Sequence, residues 1–254
     1  MTDGLRHMAT TGVNRQQMKL FLRHRDPRNS GWLQLILLLA MLAELEAPIL
    51  AAEEGHQHRR PENIKAYLEH LDSPERNQYQ KPVEVTEALG LKPGMAVADV
   101  GAGSGYFTRR FAEAVSESGK VYAVDIEPEM LDYTKNSLEH THMPYTAEFI
   151  LAQPDSPKLP SDSVDLIFLC NTYHHLENRP TYFGNLRSAL KPGGRVAIID
   201  FYHDERSGDV GFPRKHLVPR ETVVDELTRA GYQLLREHTF LPRQYFLEFA
   251  FKER

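Results

Sequence analysis

Asp99-Val100-Gly101-Ala102-Gly103-Ser104-Gly105-Tyr106-Phe107-Thr108 follows the short apolar run at 95–100 and passes straight into a helical pattern. A strand that turns through glycines into a helix lets backbone approach a ligand closely at the helix N-terminus. The spacing departs from the dinucleotide fingerprint G-x-G-x-x-G, because Tyr106 stands where the third glycine would be. Asp99 also puts a carboxylate just ahead of the glycines. That charge suits a cationic amino group and opposes a pyrophosphate. Asp125 closes the next apolar run, about 20 residues further on, where an acid accepts hydrogen bonds from ribose hydroxyls. The residues therefore ask for a ligand with a ribose and an amino group.

Working outward, β-rich runs recur at 95–100, 120–125, 147–152, 164–170 and 195–200, each bounded by Gly, Pro or Asp. Helical patterns at 63–71, 75–90, 104–117, 128–139 and 178–190 precede or separate them. Alternation of this kind predicts a doubly wound, mostly parallel α/β sheet. A helix at 220–230 follows, and then two strands, 232–240 and 244–251, which Leu241-Pro242-Arg243 joins as an antiparallel hairpin. The expectation is a seven-stranded Rossmann-like sheet with an antiparallel last strand.

The chain has 254 residues, 41% hydrophobic and 26% charged, an ordinary globular composition. Residues 1–52 hold six Lys/Arg and four Asp/Glu, net +2, whereas the rest holds 24 and 31, net −7. An acidic body lacks the clustered cations that tracking a phosphate backbone requires, so no nucleic-acid partner is expected. With the single cysteine, Cys170, no intrachain disulfide can form. No metal site is expected: His56 and His58 lie in a polar stretch, and Cys170 reads as a small core residue. The run WLQLILLLAMLA at 32–43 follows Lys19, Arg23, Arg25 and Arg28 and precedes Ala51-Ala52, the layout of a signal peptide. Residues 1–52 are thus read as a signal peptide or hydrophobic anchor, 53–62 as a linker and 63–254 as the folded domain. The signal-peptide reading places the body in an exported, periplasmic position, and an anchor extending over 32–50 associates it with a membrane. A cytoplasmic or organellar location is the alternative, with the run acting as a transit segment or a helix packed on the domain.

Four stretches, DVGAGSGYFT, VYAVDIEPEML, SVDLIFLCNTYHHL and LKPGGRVAIIDF, occur in order at 99–108, 121–131, 163–176 and 190–201. Together they resemble the consecutive motifs of class I S-adenosylmethionine-dependent methyltransferases, nearest the ubiquinone/menaquinone C-methyltransferase branch. The resemblance implies S-adenosylmethionine as cofactor and a small-molecule acceptor. It assigns the cofactor's methionine part to Asp99, Gly101 and Gly103 within the loop that also holds Ala102 and Gly105, its ribose to Asp125 and its adenine to Ile126. Tyr106 is divided between cofactor contact and helix packing. Where the family has an acid for the adenine amino group, this chain has Gln153 followed by Pro154, which lacks an N–H, and Asp155 is the substitute. Asn171 and Thr172 continue the cofactor wall, and Tyr79 and Gln80 are lid candidates.

Methyl transfer depends on positioning, and a base is needed only where the acceptor loses a proton. The resemblance puts substrate-facing residues after the fourth and fifth strands, where Tyr173, His174 and His203 are the catalytic candidates. His174 is divided between catalysis and helix capping, and His175 is read as structural. His216 is a candidate to close over the site. The leader and the quinone branch favour a lipophilic acceptor. Two alternatives stand beside the enzyme: a non-catalytic adenosyl-ligand-binding module of the same fold, and a nicotinamide-dependent dehydrogenase, which Tyr106 disfavours.

Overall fold

In the computed structural model, residues 63–140 and 146–252 are described. The expected leader and linker lie outside them. The elements run α1 (Ile64–Leu71), α2 (Arg76–Gln80), α3 (Pro82–Leu89), β1 (Ala96–Val100), α4 (Tyr106–Val115), β2 (Lys120–Asp125), α5 (Pro128–His140), β3 (Ala147–Leu151), β4 (Val164–Cys170), α6 (Arg179–Leu186), β5 (Leu190–Phe201), α7 (Arg220–Arg229), β6 (Tyr232–His238) and β7 (Gln244–Phe251). The seven strands form one sheet in the order β3-β2-β1-β4-β5-β7-β6. The first five are parallel, and β7 runs antiparallel to both β5 and β6.

Both faces of the central strands are buried, as a parallel sheet flanked by helices requires. Alternation divides their side chains between two layers. Val97, Leu166, Phe168, Cys170 and Ile199 pack with Val85, Leu89 and Phe111 from α3 and α4. Ala98, Ile167, Leu169 and Ile198 pack with Phe183, Val223 and Leu227 from α6 and α7. Among the described residues no helix is long and apolar enough to cross a membrane.

The register sets up the site. Val100 pairs with Val124 and with Leu169, and Cys170 pairs with Ile199, so β1, β2, β4 and β5 end near one level. The strand order reverses between β1 and β4, and ligands bind such sheets outside the carboxyl ends at that reversal. Two helices differ from the sequence reading. The pattern at 75–90 breaks at Lys81, φ 43°, because the following proline starts a new helix and disfavours helical backbone before it. The pattern at 178–190 ends as α6 at Leu186, and a 3₁₀ turn, Arg187–Ala189, leads into β5.

Phe111 is fully buried and lies 4.9 Å, edge to face, from Phe168. Phe111→Ala should cost about 3–5 kcal/mol in urea unfolding, set by the cavity it leaves. Val83→Ala, at a position 62% exposed, should stay within about 0.5 kcal/mol.

Candidate functional site

The turn after β1 is tied to the neighbouring strand. The N–H groups of Gly101 and Ala102 donate to the Val124 carbonyl at 2.8 and 3.1 Å. The next amide, Gly103 N–H, donates to Asp125 Oδ2 at 2.8 Å, and Glu127 N–H donates to Asp125 Oδ1 at 3.0 Å. The Asp125 carboxylate is thus held at the end of β2 by backbone on two sides. Gly101 has φ 76°, and a Cβ there would come within 2.6 Å of Thr172 Cγ2. At Gly103, φ 55°, a Cβ would come within 3.1 Å of Leu71 Cδ1. Glycine is required at the first by both backbone and space, and at the second mainly by backbone.

A cavity of about 500 Å³ opens over this turn, within the range of small-molecule sites. Of the sequence-derived cofactor residues, it is lined by Gly101, Ala102, Gly103, Asp125, Ile126, Gln153, Asn171 and Thr172. Asp99, Gly105, Tyr106 and Asp155 are not in its lining. Asp99 is buried and accepts the Thr108 hydroxyl at 2.6 Å, and burial raises its carboxyl to about 6. Tyr106 is packed: its hydroxyl donates to Asn77 Oδ1 at 2.5 Å, and the Arg76 and Arg110 guanidinium groups each lie 4.1 Å from its ring centroid. Gln153 spends its backbone N–H on Ser156 at 2.8 Å, and Asp155 is exposed.

The catalytic candidates separate. Tyr173 is fully buried, and its hydroxyl donates to Glu226 at 2.5 Å. Burial, and after it that carboxylate, push its pKa well above the usual tyrosine range. His203 is exposed just past β5. His174 is buried with Nδ1 on Asp200, while His175, read from sequence as structural, lines the cavity. Tyr79 packs on Phe201 and Gln80 is buried against Gln244, and neither lines the cavity.

Arg76, which the sequence reading left without a role, does line it. It donates to the Leu71 carbonyl at 2.9 Å and has no carboxylate within ion-pair distance among the described residues. Tyr67 and Leu71 of α1 complete that side. The helix is anchored through Asp72, whose carboxylate accepts Ser104 Oγ at 3.0 Å, Arg109 at 2.6 Å and the Tyr133 hydroxyl at 3.0 Å. Cys170 also reaches the cavity, but burial pushes its thiol up to about 12, far from a nucleophilic thiolate.

The residues present suit an adenosyl amino-acid ligand. A floor of glycines and small side chains admits a chain close to the backbone, a fixed carboxylate stands where a ribose is read, and a guanidinium lines the same space.

Residues 97–194 match the family described as a methyltransferase domain. The ubiquinone/menaquinone biosynthesis C-methyltransferase UbiE of Shewanella pealeana is 27% identical over 115 residues, 45% of this chain and 46% of that protein. Its counterpart from Vibrio vulnificus is 28% identical over 115 residues, 45% and 44% of the two chains. The chain spans about half the length of the curated relatives it matches. The crystal structure of a SAM-dependent methyltransferase from Aquifex aeolicus is 30% identical with a TM-score of 0.67, over 72% of this chain and 96% of that one. The chain belongs to the S-adenosylmethionine-dependent methyltransferases.

The raised Asp99 carboxyl has a stability consequence. Its folded pKa of about 6 lies above the ordinary 3.8, so the protonated form favours folding, and that contribution is lost as pH rises between these values. Asp99→Asn should gain about 3 kcal/mol on the wild type between about pH 4 and pH 7, read by denaturant unfolding at each pH. A gap that does not change with pH would refute the assignment.

Proposed function

We propose that the chain, as a member of that family, binds S-adenosylmethionine in the cavity over the glycine turn and directs its methyl group to a small lipophilic acceptor. The observation that carries this reading is the tie between Gly103 N–H and Asp125, which joins the glycine turn and a fixed carboxylate on one cavity. When bound, the cofactor would supply an electrophilic methyl carbon on a sulfonium, with a neutral thioether as leaving group. Asp125 would accept the ribose hydroxyls, Ile126 and Gln153 would border the adenine, and Arg76 would pair with the terminal carboxylate. His175, Leu176, Glu177 and Tyr182 line the cavity on the side of β4 and α6, and we assign the acceptor's approach to them. Apolar lining from Leu71, Val124, Met130, Leu176 and Tyr182 supports a lipophilic acceptor, as do the quinone-biosynthesis names of the UbiE relatives.

Titration calorimetry with S-adenosylhomocysteine tests the reading directly. The wild type should bind, and Asp125→Ala and Arg76→Ala should each weaken binding by roughly 10- to 100-fold, the worth of one charge-assisted hydrogen bond. An absence of binding by the wild type, or full affinity in both variants, would refute it.

We further propose that residues 1–52 act as a targeting or anchoring leader, on the strength of the apolar run 32–43 behind its basic flank. Fractionation with N-terminal sequencing should find the protein in the membrane or cleaved near 52. An intact N-terminus in the soluble cytoplasmic fraction would exclude this.

A further inference from the structure

Two glutamines that do not line the cavity join two residues that do. Gln80, the last residue of α2, and Gln244, the first of β7, are both fully buried. Arg76 Nε donates to Gln80 Oε1 at 3.4 Å, and Gln244 Nε2 donates to the same oxygen at 3.4 Å. The Gln244 amide donates again, to Asn171 Oδ1 at 2.5 Å. Arg76 and Asn171 line the cavity, and neither glutamine does.

The direction of this chain is fixed from one end. A guanidinium has no acceptor, so Gln80 turns its carbonyl toward Arg76. That oxygen then calls for the NH2 of Gln244, and the same NH2 calls for the carbonyl of Asn171. The orientation leaves Gln80 Nε2 and Gln244 Oε1 buried without a hydrogen-bond partner among the described residues. Unpaired buried amide atoms are a cost that packing does not explain, since apolar side chains of that size fill such space without it. The Asn171 backbone is held as well: its φ is 55°, which asparagine tolerates, and its N–H donates to the Ile199 carbonyl at 2.8 Å. With the main chain fixed and Oδ1 engaged, the group this side chain has left for a ligand is Nδ2, a donor. Arg76 places other N–H groups on the Leu71 carbonyl at 2.9 Å and toward Cys170 Sγ at 3.8 Å, and it too can only donate.

Resting on the methyltransferase reading, we propose that Gln244, oriented by Arg76 through Gln80, is a positioning residue that holds the Asn171 amide with its NH2 toward the cavity. Asn171 and Arg76 then form a donor-only end that selects a ligand carboxylate. An amide turned the other way would set a carbonyl oxygen there, which repels a carboxylate and accepts from an ammonium group. Gln244 thus decides which end group the cavity takes without touching the ligand.

The test is titration calorimetry on the full chain with two probes, S-adenosylhomocysteine and its decarboxylated analogue, which ends in the amine alone. The wild type should bind the first roughly tenfold or more tightly, the worth of hydrogen bonds to a charged group. Gln244→Met, neutral and close in size, should lower that ratio by about threefold or more as the Asn171 amide loses its orientation. A loss of packing alone would weaken both ligands alike, so an unchanged ratio in this variant overturns the positioning role. Asn171→Gly, which suits the left-handed backbone, should lower the ratio at least as far. In the double variant the ratio should stay within about twofold of Asn171→Gly alone, because Gln244 acts through Asn171. A further fall there contradicts that route. If the substitution at buried Gln244 prevents folding, Asn171→Gly at the cavity wall still decides, and an unchanged ratio in it overturns the proposal. A wild-type ratio near one overturns it as well. Failure of the wild type to bind either probe would instead overturn the methyltransferase reading on which it rests.

Discussion

The hydrogen bond from Gly103 N–H to Asp125, 2.8 Å long, joins the turn after β1 to the end of β2, and the cavity follows from it. Gly101 and Ala102 have already spent their amides on Val124. The turn is therefore drawn toward β2, and the space above the ends of β1 and β4 stays open. The glycines serve this as missing volume more than as donors, since the three named amides are satisfied within the protein. Thr172, from the loop after β4, occupies the space that a side chain at Gly101 would need, so two loops on either side of the strand-order reversal interlock.

Charge is distributed around this turn according to burial. Asp125 stands at the cavity with a backbone donor on each carboxylate oxygen. Asp99, one strand residue before the turn, is sealed under Thr108, and desolvation raises its pKa despite that donor and the nearby Arg76. Arg76 spans the two regions, stacked on Tyr106 and lining the cavity. Tyr106, standing where a nucleotide-binding loop would have glycine, thus contributes a platform for cations. His174 and Asp200 form a second, separate polar centre at the end of β5, reached through the 3₁₀ turn Tyr173–His175.

Features written in contiguous residues were legible before the structure. The five parallel strands, the closing hairpin and the glycine turn each depend on local pattern, and Asp125 could be placed because it ends a strand next to β1. What the sequence could not supply were pairings across the fold. His174 and Asp200 are 26 residues apart and meet only because β4 and β5 are neighbours, so the sequence, in which His174 is a catalytic candidate and His175 reads as structural, carries no sign of that pairing. In the structure they divide, one onto Asp200 and the other onto the cavity. Arg76 was equally hidden, since its place in the cavity depends on Asp72 anchoring α1 to Ser104 and Arg109. The break at Lys81 was legible in principle, because Pro82 marks it.

A crystal structure grown with S-adenosylhomocysteine would show whether a single adenosyl ligand lies between the glycine turn and Asp125. Its ribose hydroxyls should lie within hydrogen-bond distance of the Asp125 carboxylate, with the amino-acid end over Gly101 and Gly103 toward Arg76. A ligand bound elsewhere, or one lying in this cavity with its ribose away from Asp125, would contradict it.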